Sequence, residues 1–147
     1  ILPLIDYGHI DYGENKVQEA LEKWTEVKKI NSDLKLHMIG KLQSNKAKTA
    51  AQIFDYIHSL DTKKLADIFS DFEAKNDKKL KYFIQVNVGN EIQKSGVPIS
   101  DVETFYNYCT KNKNLHILGL MIIPPNELNP SKYFKLRTQD SSFPSDL

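Results

Sequence analysis

Apolar positions along the chain switch between two periods. Val17, Ala20, Leu21 and Trp24 fall on one face of a 3.6-residue helix, so residues 14–30 read as amphipathic helix. The run LKLHMIG (34–40) is short, apolar and closed by glycine, which predicts a buried strand. SNKAKTAAQ (44–52) predicts a short helix and IFDYIHSL (53–60) the next strand. Leu65, Ile68, Phe69 and Phe72 repeat the helical spacing behind Asp61, a candidate N-cap. LKYFIQVNV (80–88) is rich in β-branched and aromatic residues and is the clearest strand. Ser100 and Glu103 form a capping-box pattern ahead of Val102, Phe105, Tyr106 and Cys109. LHILGLMII (115–123) is a further apolar strand, stopped by Pro124 and Pro125.

Strand and helix alternating at this spacing is the pattern of βαβ units and a parallel sheet. Such a sheet either stays open and doubly wound or closes into a barrel. A doubly wound nucleotide fold carries a glycine-rich turn after its first strand. Neither G-x-G-x-x-G nor G-x-x-x-x-G-K-[ST] occurs here, and GKLQSNKAK matches neither. The expectation is therefore a (β/α)8 barrel, incomplete at about five βα units where a full one has eight. Residues 1–147 read as one domain whose polar tail, 138–147, frays. An incomplete barrel exposes two sheet edges and, on this reading, an apolar inner face, so self-association is expected.

Composition narrows the function classes. A hydrophobic fraction of 40% with seven Phe and seven Tyr specifies a folded chain. Net charge is +1, lysines are interspersed with acids, and Arg137 is the sole arginine, which disfavours nucleic acid and anionic membrane as partners. One cysteine permits no internal disulfide, and no apolar run has the length of a membrane span, so a soluble, cytoplasmic setting is expected. The four histidines form no H-x-x-x-H pair, Cys109 sits on an apolar face, and no G-x-S-x-G is present. A metal site, a cysteine nucleophile and a hydrolase elbow are all disfavoured.

What recurs is a polar cluster at the end of each strand. Gly13-Glu14-Asn15, Gly40 to Lys46, and His58-Ser59-Leu60-Asp61 close the first three; Asn87 with Gln93 to Gly96 and then Met121 to Pro125 close the others. In a parallel barrel these ends converge on one mouth, where the chemistry of such folds sits. Asn15 suits a helix start and a mouth position at once. Each cluster alone is a cap or turn; together they suit a polar small molecule.

The stretches YGENKVQEALEKW, HMIGKLQSNKAK, FDYIHSLDTKKLA, FIQVNVGNEIQKSG and LGLMIIPP, in this order and over most of residues 7–125, resemble the YggS/PROSC family of pyridoxal-phosphate homeostasis proteins. The resemblance implies a barrel of PLP fold type III, shared with the N-terminal domain of alanine racemase. It implies a protein that binds pyridoxal 5′-phosphate (PLP), carries it without robust catalysis, and supports its supply to PLP-dependent apo-enzymes. It also implies that Asn15 stands beside the cofactor and that Lys94 lies in a cofactor-handling loop; His58, Ser59, Asn87 and Met121, from the strand-end clusters, complete the expected cofactor site. The family's V-S-K-x-x-P lysine motif falls before Ile1 and its phosphate-binding segments after Leu147, so this chain is expected to bind PLP weakly or not at all. Two other readings are a fold-type III enzyme, such as an amino-acid racemase, and a non-catalytic interaction module.

Overall fold

The structure, a computed structural model, describes residues 1–89 and 95–124. A short helix, Leu2–Asp6 (α1), leads into the strand Asp11–Glu14 (β1) and the helix Val17–Ile30 (α2). Then come Lys35–Met38 (β2), Ser44–Ile53 (α3), Tyr56–Leu60 (β3), Lys63–Asn76 (α4) and Lys81–Asn87 (β4). A two-residue strand, Val97–Pro98 (β5), precedes a 3-10 turn, the helix Val102–Asn107 (α5) with its π-turn Tyr108–Asn112, and the strand His116–Ile122 (β6). The strands and helices foreseen from periodicity are present, most of them trimmed by one to three residues, while the helix expected over 44–52 runs one residue further, to Ile53. Lys94 and the tail 138–147 lie outside the described residues.

All pairings are parallel, and β1, β2, β3 and β4 follow in order with β6 beyond β4. Right-handed crossovers between strands laid down in a constant direction put every helix on one face of the sheet. That is the winding of a barrel wall, with no reversal of strand order as in doubly wound sheets. The sheet is an open arc: among the described residues β1 pairs only with β2, and β6 only with β4.

Alternation along each strand divides core from interior. Leu36, Met38, Ile57, Tyr82, Ile84 and Val86 are buried beneath the helices. Val17, Ala20 and Trp24 of α2, Ala47, Ala50 and Ala51 of α3, and Leu65, Ala66, Phe69 and Phe72 of α4 meet them. The opposite face carries His37, Tyr56, His58, Lys81, Phe83 and Gln85. This corrects the expected apolar inner face: the row is polar and aromatic, with exposed Ile39, Leu118 and Ile123 around it.

Polar groups fasten the helices to the sheet. Glu14 accepts hydrogen bonds from Lys23 Nζ at 2.6 Å and Trp24 Nε1 at 2.7 Å. Lys78 Nζ donates to the carbonyls of Ala51, Gln52 and Phe54 at the end of α3, where a cation also meets the negative end of the helix dipole. Buried Glu73 of α4 accepts from Tyr82 Oη at 2.6 Å and from Leu80 N–H at 3.1 Å, and Lys79 pairs with its other oxygen at 3.2 Å.

Several helix starts differ from expectation. The N-cap of α2 is Lys16, not Asn15, and the N-cap of α4 is Thr62, whose Oγ1 accepts the Leu65 N–H at 3.2 Å, not Asp61. The Ser100–Glu103 capping box is not formed, because Ile99–Asp101 winds into a 3-10 turn that runs directly into α5. The sheet has six strands where about five were expected, since β5 is too short to leave a periodic signal.

Candidate functional site

At the carboxyl ends of the strands lies a cleft of about 450 Å³, lined by Asn15, Ile39, Gly40, Lys41, Gln85, Val86, Asn87, Ser95 and Ile123. Asn15 follows β1, Gly40 and Lys41 follow β2, and Gln85 to Asn87 end β4. A neighbouring cleft of about 320 Å³ shares Asn15 and Lys41 and reaches Lys16, Gln18, Gln43 and Lys46 at the starts of α2 and α3. Asn15 therefore stands on the ridge between the two.

Two glycines make this packing possible. A Cβ on Gly40 would lie 2.2 Å from the Asn15 carbonyl oxygen and 2.8 Å from its Cα. The loop after β2 thus rests directly on the backbone after β1. Gly96 has φ +125°, and a Cβ there would meet Asn87 N at 2.7 Å. Only glycine adopts this conformation without strain.

The β4 wall of the cleft is braced from β3. Val97 and Pro98 pair with Val86 and Asn87, while the other side of Val86 is taken by Ile122 of β6. β5 therefore continues the sheet beyond the end of β3. The Asp61 carboxylate, the first group after β3, accepts the Gly96 N–H at 3.0 Å. Burial, the largest influence, raises the Asp61 carboxyl above its ordinary pKa, although the Gly96 bond and the charge of Lys41 pull the other way.

The clusters read from sequence separate into three locations. Asn15 and Asn87 come together in the cleft, and Met121 is the register partner of its lining residue Gln85. His58 and Ser59 lie within β3 and do not line it. His58 stacks on Phe83 at 4.4 Å on the inner face, and its Nε2 lies 2.9 Å from His37 Nδ1. His37 continues to Asp11 Oδ1 at 3.0 Å and stacks on Tyr56 at 4.1 Å. Burial, and then the neighbouring His37, hold the His58 pKa below the usual histidine value. The Ser59 hydroxyl is buried without a hydrogen-bond partner among the described residues. Gly13 and Glu14, read as mouth residues, are inside β1, and Glu14 faces α2. Lys94 lies outside the described residues. Sequence reasoning passed over Gln85, which lies inside the β4 run; as site residues, Lys41 and Asp61 were read only as members of the polar clusters after the second and third strands, and not singled out.

Cys109 is fully buried, and its thiol is pushed up to about 12, so it packs and does not react. Among the described residues no group of three His, Cys, Asp or Glu side chains could hold a metal ion. No described helix is long and apolar enough to cross a membrane.

The family model described as alanine racemase, N-terminal domain, matches residues 1–141. The chain belongs to this family. A pyridoxal phosphate homeostasis protein of Aquifex aeolicus is 43% identical over 119 residues, covering 81% of this chain and 51% of the relative. The protein of that name in Escherichia coli K12 is 31% identical over 140 residues, covering 95% and 60%. The chain thus spans about half the length of the curated relatives it matches. PipY of Synechococcus elongatus, solved without PLP, superposes with a TM-score of 0.79 at 29% identity over 97% of this chain and 71% of PipY; PipY has also been solved with PLP bound. Alanine racemase of Clostridium difficile shares only the fold, with a TM-score of 0.66 at 9% identity over 92% of this chain and 36% of the racemase. In this family frame the arc of strands is a barrel wall, and the cleft lies at its carboxyl-end mouth.

Proposed function

We propose that the cleft takes pyridoxal 5′-phosphate and that the protein serves PLP homeostasis as a carrier, with PLP-dependent apo-enzymes as recipients. The observation that carries this reading is the convergence of Asn15, Gln85 and Asn87 in one cleft of about 450 Å³ at the carboxyl ends of parallel strands. That volume is within the usual ligand-pocket range of roughly 300–1,000 Å³. The similarity to relatives named for PLP homeostasis, and to a neighbour solved with PLP, supports the choice of ligand.

The donor set suits the group. Ile39, Val86 and Ile123 offer apolar surface to a pyridine ring, while the two asparagines and Gln85 offer amides to its hydroxyl and ring nitrogen. Lys41, the one lysine among the described lining residues, is exposed and serves as a cation for the phosphate. When bound, PLP supplies an electron sink and a reactive aldehyde. The cleft's own residues bind and orient it, with no buried lysine among the described lining residues. These described residues hold PLP through non-covalent contacts.

Titration of the chain with PLP, followed by amide NMR, tests this. The expected result is saturable shifts at Asn15, Gly40, Lys41, Gln85 and Asn87, with several-fold weaker binding in Asn15→Ala and Asn87→Ala. Shifts confined to other surfaces overturn the site. A stoichiometric borohydride-trapped adduct at Lys41 overturns the non-covalent mode. Appearance of D-alanine from L-alanine in the presence of PLP overturns the carrier reading.

A further inference from the structure

We propose that Asp61 is a positioning residue, whose carboxylate holds Ser95 and Gly96 against the end of β4 and thereby fixes the Gln85–Asn87 wall of the cleft. Its consequence for PLP affinity rests on the reading given above; the hold on the wall does not.

Asp61 is released from the role its sequence position suggests. Thr62, its neighbour, is the N-cap of α4 and its Oγ1 accepts the Leu65 N–H, the capping role that the sequence position of Asp61 suggests. The carboxylate turns instead across the end of β3 and takes the Gly96 N–H at 3.0 Å. An ionised acceptor makes this a charge-assisted bond, stronger than a neutral one.

What Gly96 touches makes the bond consequential. Its α-carbon is pressed against the Val86–Asn87 peptide so closely that no Cβ fits, and its left-handed φ turns the chain into β5. Val97 and Pro98 then pair with Val86 and Asn87, and the Ser95 carbonyl lies 3.4 Å from Gln85 Nε2. Gln85, Val86, Asn87 and Ser95 all line the cleft. One acceptor just after β3 therefore helps to hold four lining residues in place through Gly96. Removing it leaves this segment the two-residue pairing of β5, the long Gln85–Ser95 hydrogen bond and the burial of Val97.

Asp61 also borders a surface cavity of about 350 Å³ beside Lys63, Val97, Pro98 and Asp101. A truncated side chain is replaced there by water, so the fold survives the substitution. The test compares Asp61→Ala and Asp61→Asn in the 147-residue chain. Hydrogen exchange of the Gly96 amide is read together with the side-chain amide resonances of Gln85 and Asn87. In Asp61→Ala, Gly96 exchange is expected to accelerate by about 10- to 100-fold, the loss of a hydrogen bond to a charged group. Both side-chain amides shift, while core amides such as Phe69 and Ile84 keep their protection. Asp61→Asn, whose carbonyl oxygen can accept the same N–H without the charge, recovers part of the Gly96 protection and returns both resonances toward wild type. If Asp61→Ala does not fold, Asp61→Ser, too short to reach Gly96, carries the same expectations.

Unchanged Gly96 exchange in the Ala variant overturns the proposal. So does loss of protection spread equally over the core, or altered Gly96 exchange with unmoved Gln85 and Asn87. PLP affinity is expected to fall several-fold in the Ala variant and to stay within about twofold in the Asn variant. A wild-type chain that shows no response to PLP overturns the functional reading, and the exchange and side-chain measurements still decide the role of Asp61.

Discussion

Gly40→Ala isolates the contact that joins the first two loops of the mouth. The added Cβ would lie 2.2 Å from the Asn15 carbonyl oxygen and 2.9 Å from its carbonyl carbon, where real Cβ contacts essentially never fall below 3.0 Å. The two backbones must therefore part by about 0.8 Å or more at the oxygen. Both sides of the clash are main chain, so no side-chain rotamer can relieve it. Overpacking of this kind costs about 1–3 kcal/mol, and a backbone clash belongs in the upper half of that range. At about 2–4 °C per kcal/mol for a chain of this size, the melting midpoint should fall by about 4–12 °C. Gly13→Ala is the internal control. Its Cβ would meet only the Cδ1 end of the Ile39 side chain at 3.0 Å, which can swing away. Circular-dichroism melts of both variants supply the comparison. A Gly40→Ala melt within about 1 °C of wild type, or a larger loss in Gly13→Ala, would refute the backbone-contact argument.

Three further outcomes concern buried and half-buried polar groups. Burial raises the Glu14 carboxyl, but the Lys23 and Trp24 hydrogen bonds outweigh it and hold the pKa below the ordinary carboxylate value. A depressed carboxylate contributes stability that is present above its unfolded pKa and lost as pH falls through the folded one. The fluorescence of Trp24, the only tryptophan, should accordingly change below the ordinary Glu range, and Glu14→Gln should abolish that transition. Tyr82→Phe withdraws the 2.6 Å donor from buried Glu73, at a cost of about 1–3 kcal/mol, seen as a lower urea midpoint with unchanged slope. Burial first and His37 second hold the His58 pKa below the ordinary histidine value, so NMR of a His37→Ala variant should show it rising part of the way back. A histidine shifted down contributes stability present above 6.5 and lost as pH falls through the folded value, so the His58–Phe83 stack loosens on the acid side.

The fold was largely legible because core burial imposes its period on the sequence. Val17, Ala20 and Trp24 could be assigned to one helical face from spacing alone, and all are buried. The inner face was not legible, for a related reason. In LHMIG, YIHSL and YFIQV, histidine and aromatic residues alternate with aliphatic ones, and both kinds count as compatible with a buried strand. Only the pairing register shows that His37, His58 and Phe83 share the face away from the helices. The two-residue β5 was hidden too, since it includes Pro98, a residue that ordinarily argues against a strand.

The site divides along the same line. Asn15 and Asn87 were found because each is a polar residue where an apolar run stops, and both line the cleft. Asp61 was assigned to a helix cap because that is the commonest duty of an Asp before a helical stretch. Yet Asp61-Thr62 places two good caps before one helix start, and that start has room for one. Thr62 fills it, at the position from which its hydroxyl reaches Leu65. The other residue is then free for a tertiary contact, here the amide of Gly96, 35 residues along the chain. Duplicated capping residues at the end of a parallel strand therefore carry information. One serves the helix, and the strand end aims the other toward the mouth, where its partner is set by the fold and not by the neighbouring sequence.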